Sequence, residues 1–202
     1  FAGYIAKRMG LPIDKLVIAT NQNDILDRAL RTGDYRTDGV RPSISPSMDI
    51  QVSSNFERAL FHAYGRDGRA VAALMDDLKS TGGFHIAPDA LAPLRATFAS
   101  GRASEDETSA TIARTLRETG ELLCPHSAVG VKVAEDQMGQ NPMITLATAH
   151  PAKFPDAVEK ATGLRPALPE RMGDLHDRPE RITRVPNDLV AIQRLIRERI
   201  AH

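Results

Sequence analysis

Apolar residues recur along the chain in three units, each of which joins a short extended run to a helical pattern. The first unit is KLVIAT, residues 15–20, followed by a helical pattern that ends at Gly33. The second joins ELLCP, from residue 121, to SAVGVKVAEDQMG, and the third joins MITLATA, from residue 143, to FPDAVEKATG. Short β-branched runs favour strands, and apolar residues three or four apart favour amphipathic helices. The pattern therefore predicts repeated strand–helix units.

Repeated strand–helix units are typical of α/β proteins, because neighbouring parallel strands need a long connection and a helix usually supplies it. We therefore predict an α/β fold with a parallel sheet flanked by helices. The stretch between the first and second units has few strand signals and several helical patterns, which indicates a helical insertion. The predicted organisation is an α/β domain at 1–33, a mainly helical insertion at 34–120, a continuation of the α/β domain at 121–163, and a C-terminal tail and helix at 164–202.

The stretch SPSMDIQVSSNFERALF, residues 45–61, changes from alternating polarity to helical spacing. Ser54 and Glu57 have the three-residue separation of a capping box, in which the hydroxyl and the carboxylate satisfy backbone N–H groups at a helix start. Ser104 and Glu107 have the same separation. The sequence therefore predicts a helix at each box. The polar face that precedes the first box is either a ligand contact or a packing element.

Composition narrows the classes of function. The chain has 202 residues, 42% of them hydrophobic, and its 26 basic residues equal its 26 acidic residues. No positive excess exists to hold nucleic acid, and no apolar run approaches the length of about 18 residues that a membrane helix needs. Cys124 is the single cysteine, so we expect no internal disulfide and no metal site built on cysteine and histidine. These features predict a cytoplasmic protein that binds neither nucleic acid nor membrane.

The residues that follow each predicted strand are candidates for a site, since ligands bind open parallel sheets beyond the carboxyl ends of the strands. After the first strand come Asn21, Asn23 and Asp24, whose amides and carboxylate can orient a polar substrate. The alternative role of this loop is to cap the next helix. The second candidate is CPHSAVG, where a helix start can hold an anion, or is simply capped by Ser127 and closely packed through Gly130.

The third candidate is LATAHPAKF, residues 146–154, at the end of the last predicted strand. Its neighbourhood contains the polar side chains of Thr145, Thr148, His150 and Lys153. A lone histidine is more often structural than catalytic, and Cys124, which follows two leucines, is expected to be a core residue. Hydrolase, phosphate-loop and dinucleotide motifs are missing from the sequence. Spacing alone therefore predicts an α/β domain with a polar sheet edge.

Four segments of the chain resemble signatures of the threonine synthases, in the same order. They are ATNQNDIL at 19–26, SPSMDIQVSSNFERALF at 45–61, CPHSAVGVKVAED at 124–136 and ATAHPAKFPDAV at 147–158. The resemblance implies a fold-type-II pyridoxal-phosphate enzyme with a tryptophan-synthase β-like fold, of which this chain is the C-terminal part. It also implies that residues 1–33 belong to the cofactor-binding domain.

The resemblance implies a reaction, the conversion of O-phospho-L-homoserine and water to L-threonine and phosphate, with pyridoxal 5'-phosphate as cofactor. It further implies an active-site lysine that holds the cofactor as a Schiff base, together with a glycine-rich loop for the cofactor phosphate. The lysines of this chain lack that sequence setting, so we expect both features upstream of Phe1. The chain then holds no catalytic residue of its own, and we expect it to be inactive in isolation.

The resemblance also implies roles for particular side chains. Relatives of this fold place a hydroxyl against the pyridine nitrogen of the cofactor, and Thr148 matches that position best, with Thr145 as its competitor. The other residues expected near substrate are Asn21, Asn23, Asp24, His150 and Lys153. The last two are expected either to hold the phosphate of the substrate or to brace their own loop.

Two alternatives remain open at the level of sequence. A related phospholyase would eliminate phosphate from the same substrate and release a keto acid. A non-catalytic relative would serve as a binding or regulatory partner instead. In either case the cleft left by a missing domain would expose apolar surface, so we expect the isolated chain to self-associate.

Overall fold

A computed structural model describes residues 1–200 of the chain. These residues form two compact units that divide after Ala167. The first unit contains every strand of the described residues and all the candidate site residues. The second unit contains a single-turn helix, Glu170–Met172, and the final helix.

The helices of the first unit are α1 Ala2–Arg8, α2 Ile25–Thr32, α3 Ser54–Ala63, α4 Gly68–Thr81, α5 Pro88–Thr97, α6 Glu105–Thr119, α7 Pro125–Asp136 and α8 Pro155–Thr162. Its strands are β1 Leu16–Thr20, β2 Asp34–Arg36, β3 Gly83–His85 and β4 Phe98–Arg102. Single-turn helices span Pro46–Met48 and Pro151–Lys153. In the second unit, α9 spans Leu189–Ile200. The helical spacing of Leu189, Ile192, Ile196 and Ile200 predicts this C-terminal helix.

The sheet that positions the site is the parallel pair β1 and β4. Leu16 lies opposite Phe98, and Thr20 lies opposite Arg102. Helix α2 follows β1 directly, and both α2 and α7 contact the two strands. A second, antiparallel pair is formed by β2 and β3. Parallel strands flanked by helices confirm the predicted α/β class.

The core includes an aromatic stack that also fixes the chain just before α3. Tyr35 is 2% exposed, and its ring centroid lies 4.7 Å from that of Phe84 and 5.6 Å from that of Phe56. Burial raises the pKa of the Tyr35 hydroxyl, which donates to the Gln51 carbonyl at 3.2 Å and accepts from the Ser53 amide at 3.0 Å. The stack therefore anchors the middle of the segment 45–61, which resembles a family signature.

Two of the predicted strands are wrong. Segments 121–125 and 143–149 pair with no other strand within the described residues. The partner of β1 is instead β4, FASGR, which lies inside the stretch predicted as mainly helical. The β propensity of its residues does not predict this strand, because backbone pairing with β1 and packing against helices decide its conformation.

The predicted capping boxes differ in outcome. At α6 the box is confirmed, since the Glu107 amide donates to Ser104 Oγ at 3.2 Å and the Ser104 amide donates to Glu107 Oε2 at 2.8 Å. At α3 the cap is Ser53 instead of Ser54, and its hydroxyl accepts the Phe56 amide at 3.3 Å. Adjacent serines offer the same hydroxyl chemistry, so the position of the helix in the fold selects between them.

Helix α7 lies close to β4 because Gly101 has no side chain. A Cβ atom at Gly101 would lie 2.8 Å from Val133 Cγ1 and 3.2 Å from Gln137 Nε2. The Val133 methyl group is attached at the branched Cβ and has little freedom to move. We expect Gly101→Ala to lower the free energy of unfolding by about 1–3 kcal/mol through overpacking. Urea denaturation monitored by circular dichroism measures the change.

Gly139→Ala is the matched control, because a Cβ atom there meets nothing within 4 Å. Its free energy of unfolding should stay within about 0.5 kcal/mol of the wild-type value. Equal losses in the two variants would contradict close packing of α7 on β4.

Candidate functional site

The first part of the site is a polar cluster at the carboxyl end of β1, formed by Asn21, Asn23, Ser43, Ser45 and Asp49. Asn21 is completely buried, and its side-chain amide donates to Ser45 Oγ at 2.9 Å and to Asp49 Oδ1 at 2.7 Å. Asn21 Oδ1 accepts the backbone amide of Asn23 at 2.9 Å. The cluster therefore joins the loop after β1 to residues 43–49.

The Asp49 carboxylate is the acceptor at the centre of this polar cluster. Its Oδ1 accepts from Asn21, from Asn23 Nδ2 at 2.8 Å and from Ser43 Oγ at 2.6 Å. Its Oδ2 accepts the Ser43 backbone amide at 2.9 Å. Four donors therefore bind the two oxygens of this one carboxylate. The segment that carries Asp49 is thus folded over the end of β1.

The second part of the site is the first turn of α7. Cys124 is the N-cap, whereas the sequence predicted Ser127, and Cys124 Sγ accepts the Ser127 amide at 3.4 Å. Cys124 is 1% exposed, which confirms its place in the core. His126 Nε2 accepts the Ser47 amide at 3.1 Å, and Ser127 Oγ accepts the Thr148 amide at 3.3 Å. Consecutive residues of α7 therefore bind two loops that are distant in sequence.

His126 occupies a largely buried position beside a cation and an aromatic ring. Its side chain packs against Phe154, with 4.6 Å between the ring centroids. Burial lowers the pKa of His126, the positive charge of Lys153 lowers it further, and the carboxylate of Asp49 opposes both effects. The neutral imidazole is therefore the favoured form at neutral pH.

Thr145 and Thr148 lie on the segment held by α7. A Cβ atom at Gly130 would lie 2.8 Å from Thr145 Cγ2, so Gly130 permits the close packing that the sequence predicted. Thr148 is an exposed residue with a side-chain hydroxyl, and Ser127 binds its backbone amide. This hydroxyl is available to a ligand.

The remaining candidates lie at the margin of this arrangement. Asp24 forms ion pairs with Arg28 at 2.9 Å and with Arg102 at 3.0 Å, and these pairs tie α2 to β4. His150 Nδ1 accepts the Ala152 amide at 3.1 Å and so caps the turn that follows. Lys153 is exposed. Thus Asn21, Asn23, Thr145 and Thr148 are brought together through α7 and the segment 43–49, whereas Asp24 is not.

Sequence reasoning missed two residues that shape the site. The sequence pattern assigns a capping role to Ser127 but no role to the neighbouring His126, and it assigns none to Glu105. Glu105 Oε2 accepts the Ile44 amide at 2.9 Å, so it holds one end of the segment that His126 holds at Ser47. The only sequence signal was the position of His126 in the first turn of a helix after an apolar run.

The arrangement supplies the exposed side chains of Thr148 and Lys153, which suit a polar or anionic small molecule. The buried amides of Asn21 and Asn23 hold the segment 43–49 in place. Among residues 1–200, no group of three His, Cys, Asp or Glu side chains is placed to hold a metal ion. In the same residues, the helices are all too short or too polar to cross a membrane.

Comparison with protein families gives a match to the model described as "Threonine synthase, C-terminal", over residues 127–196. The threonine synthase of Pseudomonas aeruginosa is 49% identical over 97% of this chain, which covers 42% of that protein. That of Corynebacterium glutamicum is 43% identical over the whole chain, which covers 44% of that protein. The chain therefore spans about two-fifths of the length of the curated relatives it matches.

Solved structures of threonine synthases are also similar to this chain. The crystal structure of threonine synthase from Brucella melitensis with bound pyridoxal phosphate has a TM-score of 0.90 and 55% identity. The match covers 98% of this chain and 43% of that one. Yeast threonine synthase has a TM-score of 0.83 and 38% identity, over 99% of this chain and 45% of that one. The architecture described above is thus similar to about two-fifths of these enzymes.

The polar cluster predicts that substitution of Asp49 lowers the stability of the fold. Asp49→Asn keeps the shape but provides one oxygen and one amino group, so at least one N–H or O–H donor of the cluster then faces another donor. We expect the free energy of unfolding to fall by about 1–3 kcal/mol. We also expect loss of protection of the 43–49 amides in hydrogen exchange.

Asp38→Asn provides the control, because Asp38 is an exposed carboxylate of the same charge outside the cluster. It should leave both the unfolding free energy and the exchange pattern essentially unchanged. If Asp49→Asn behaved like Asp38→Asn, the carboxylate would not be organising the loop.

Proposed function

We propose, since the chain belongs to the threonine synthase family, that it forms the C-terminal part of an enzyme that converts O-phospho-L-homoserine and water to L-threonine and phosphate. The observation that carries the proposal is the first turn of α7, where His126 and Ser127 bind the segments of Ser47 and Thr148. Both segments resemble signatures of the family. The phospholyase alternative is not favoured, because the relatives described above are threonine synthases.

The cofactor of the proposed reaction is pyridoxal 5'-phosphate, which supplies an electron sink for carbanion chemistry. The residues present fit this group in one testable respect, since Thr148 offers an exposed hydroxyl on a backbone fixed by Ser127. We propose that the Thr148 hydroxyl would donate a hydrogen bond to the pyridine nitrogen, whereas Thr145 packs against Gly130. A neutral hydroxyl leaves that nitrogen largely unprotonated, whereas a carboxylate would stabilise its protonated form.

The chain's other residues would bind and orient the substrate. Lys153 is an exposed cation beside the first turn of α7, and together with the N-terminal dipole of that helix it suits a phosphate group. We propose that His150 acts beside it by capping the turn that carries Lys153. Asn21 and Asn23 are buried, so their proposed contribution is to hold the segment 43–49 that faces the substrate.

The proposed reaction needs residues that this chain does not provide. We propose that the Schiff-base lysine and the cradle for the cofactor phosphate come from the remainder of the polypeptide, and that the enzyme acts in the cytoplasm. The chain by itself is then inactive. The exposed apolar side chains of Ile144 and Leu146 favour its self-association, which sedimentation velocity tests.

The decisive experiment uses the complete polypeptide to which these residues belong. Borohydride reduction followed by peptide mass mapping should find one pyridoxyl-modified lysine, and it should lie outside residues 1–202. Incubation with O-phospho-L-homoserine should release threonine and phosphate in equal amounts. A keto acid in place of threonine would identify a phospholyase, and a colourless, unmodified protein would favour a non-catalytic relative.

The proposed role of Thr148 predicts that two substitutions at this position lower the activity of the complete polypeptide to different extents. Thr148→Ala removes one hydrogen bond, and we expect kcat/KM to fall by about threefold to tenfold. Thr148→Ser retains the hydroxyl and should recover most of that loss. The absorbance spectrum of the bound cofactor should change in the alanine variant and remain near wild type in the serine variant. An identical response from Thr145→Ala and Thr148→Ala would reject the assignment.

A further inference from the structure

The His126 side chain connects α7 to the segment 43–49 by a bond that depends on its protonation state. His126 is 8% exposed, and its Nε2 accepts the backbone N–H of Ser47 at 3.1 Å. An imidazolium carries protons on both nitrogens and accepts nothing, so this bond requires the neutral ring with its proton on Nδ1. Within residues 1–200, Nδ1 is buried and forms no hydrogen bond.

The charged groups that face His126 come from the elements packed against it. Lys153 approaches from the turn at 151–153 and disfavours the imidazolium, as does burial. Asp49 approaches from the segment 43–49 and favours it. Glu105, on α6, binds the Ile44 amide of that segment. The balance favours the neutral ring, which is the form the observed hydrogen bond requires.

Among the hydrogen bonds of residues 1–200, the bond from Ser47 to His126 is the one that joins the segment 43–49 to α7. Glu105 holds Ile44 near one end of the segment, and the polar cluster holds Ser43 and Asp49. His126 binds Ser47, which lies between these anchors in the exposed single-turn helix. The Ser47 amide is therefore the point where the middle of the segment is attached to the helix that also positions Thr148.

We propose that His126 is a positioning residue of the threonine synthase reaction, whose neutral ring holds the segment 43–49 against the first turn of α7. The inference rests on the proposed function and deepens it. His126 acts through Ser47 and its neighbours, so its loss raises KM and lowers kcat/KM without abolishing the chemistry. Protonation of His126 breaks its bond to Ser47 and frees the middle of the segment, so activity declines on the acid side as this histidine becomes charged.

The test compares His126→Gln with His126→Asn in the complete polypeptide. Glutamine places a carbonyl oxygen near the position of Nε2, whereas the shorter asparagine does not reach Ser47. Both variants lose the contact between the imidazole ring and Phe154, so both should lose similar thermal stability. We expect kcat/KM to fall at least tenfold in His126→Asn, mainly through KM, and to recover to within about threefold of wild type in His126→Gln.

The pH profile and hydrogen exchange separate positioning from simple structural support. Glutamine does not titrate, so the acid limb of kcat/KM should move to lower pH in His126→Gln. The Ser47 amide should exchange at least tenfold faster in His126→Asn than in wild type, and should stay protected in His126→Gln. Equal activities and equal exchange rates in the two variants, or an unmoved acid limb, would overturn the proposal.

Hydrogen exchange also keeps this inference distinct from the proposed function, because it needs no substrate. If the wild-type polypeptide makes no threonine but the exchange pattern appears, the proposed function fails and the attachment of the segment by His126 stands. If threonine is made but exchange at Ser47 is the same in both variants, the proposed function stands and the role of His126 fails.

Discussion

The buried amide of Asn21 is the interaction on which the arrangement of the site depends. It lies at the end of β1 and is completely buried, so each polar atom left without a partner would cost about 1–3 kcal/mol. Its partners, Ser45 and Asp49, belong to a segment more than twenty residues further along the chain. Satisfying one side chain therefore requires that segment to fold over the carboxyl end of the strand.

The position of Asn21 depends in turn on the parallel pairing of β1 with β4. Gly101 on β4 allows the C-terminal part of α7 to lie close to the sheet, and the first turn of α7 binds the folded-over segment through His126. His126 and Ser127 then bind two loops, one that precedes α7 in the sequence and one that follows it. A small number of buried polar contacts thus joins strand, loop and helix into one site.

The proposed activity fits this construction because the joined loops carry polar groups with fixed backbones. Thr148 presents a hydroxyl, and Lys153 presents a cation beside a neutral histidine. Ile144 and Leu146, by contrast, are 81% and 76% exposed, although their segment resembles a buried strand in sequence. Such exposure agrees with a chain that spans about two-fifths of the length of its relatives.

The sequence by itself determined the local features whose signals lie within a few residues, such as the capping box of Ser104, the helical spacing of α9 and the strand LVIAT. It also identified the family, because long signatures keep their order. It did not reveal β4, the choice of Ser53 over Ser54, or the role of His126. Those features depend on which distant groups meet in the folded chain, since backbone pairing, packing space and hydrogen-bond partners across many residues are decided only by the tertiary structure.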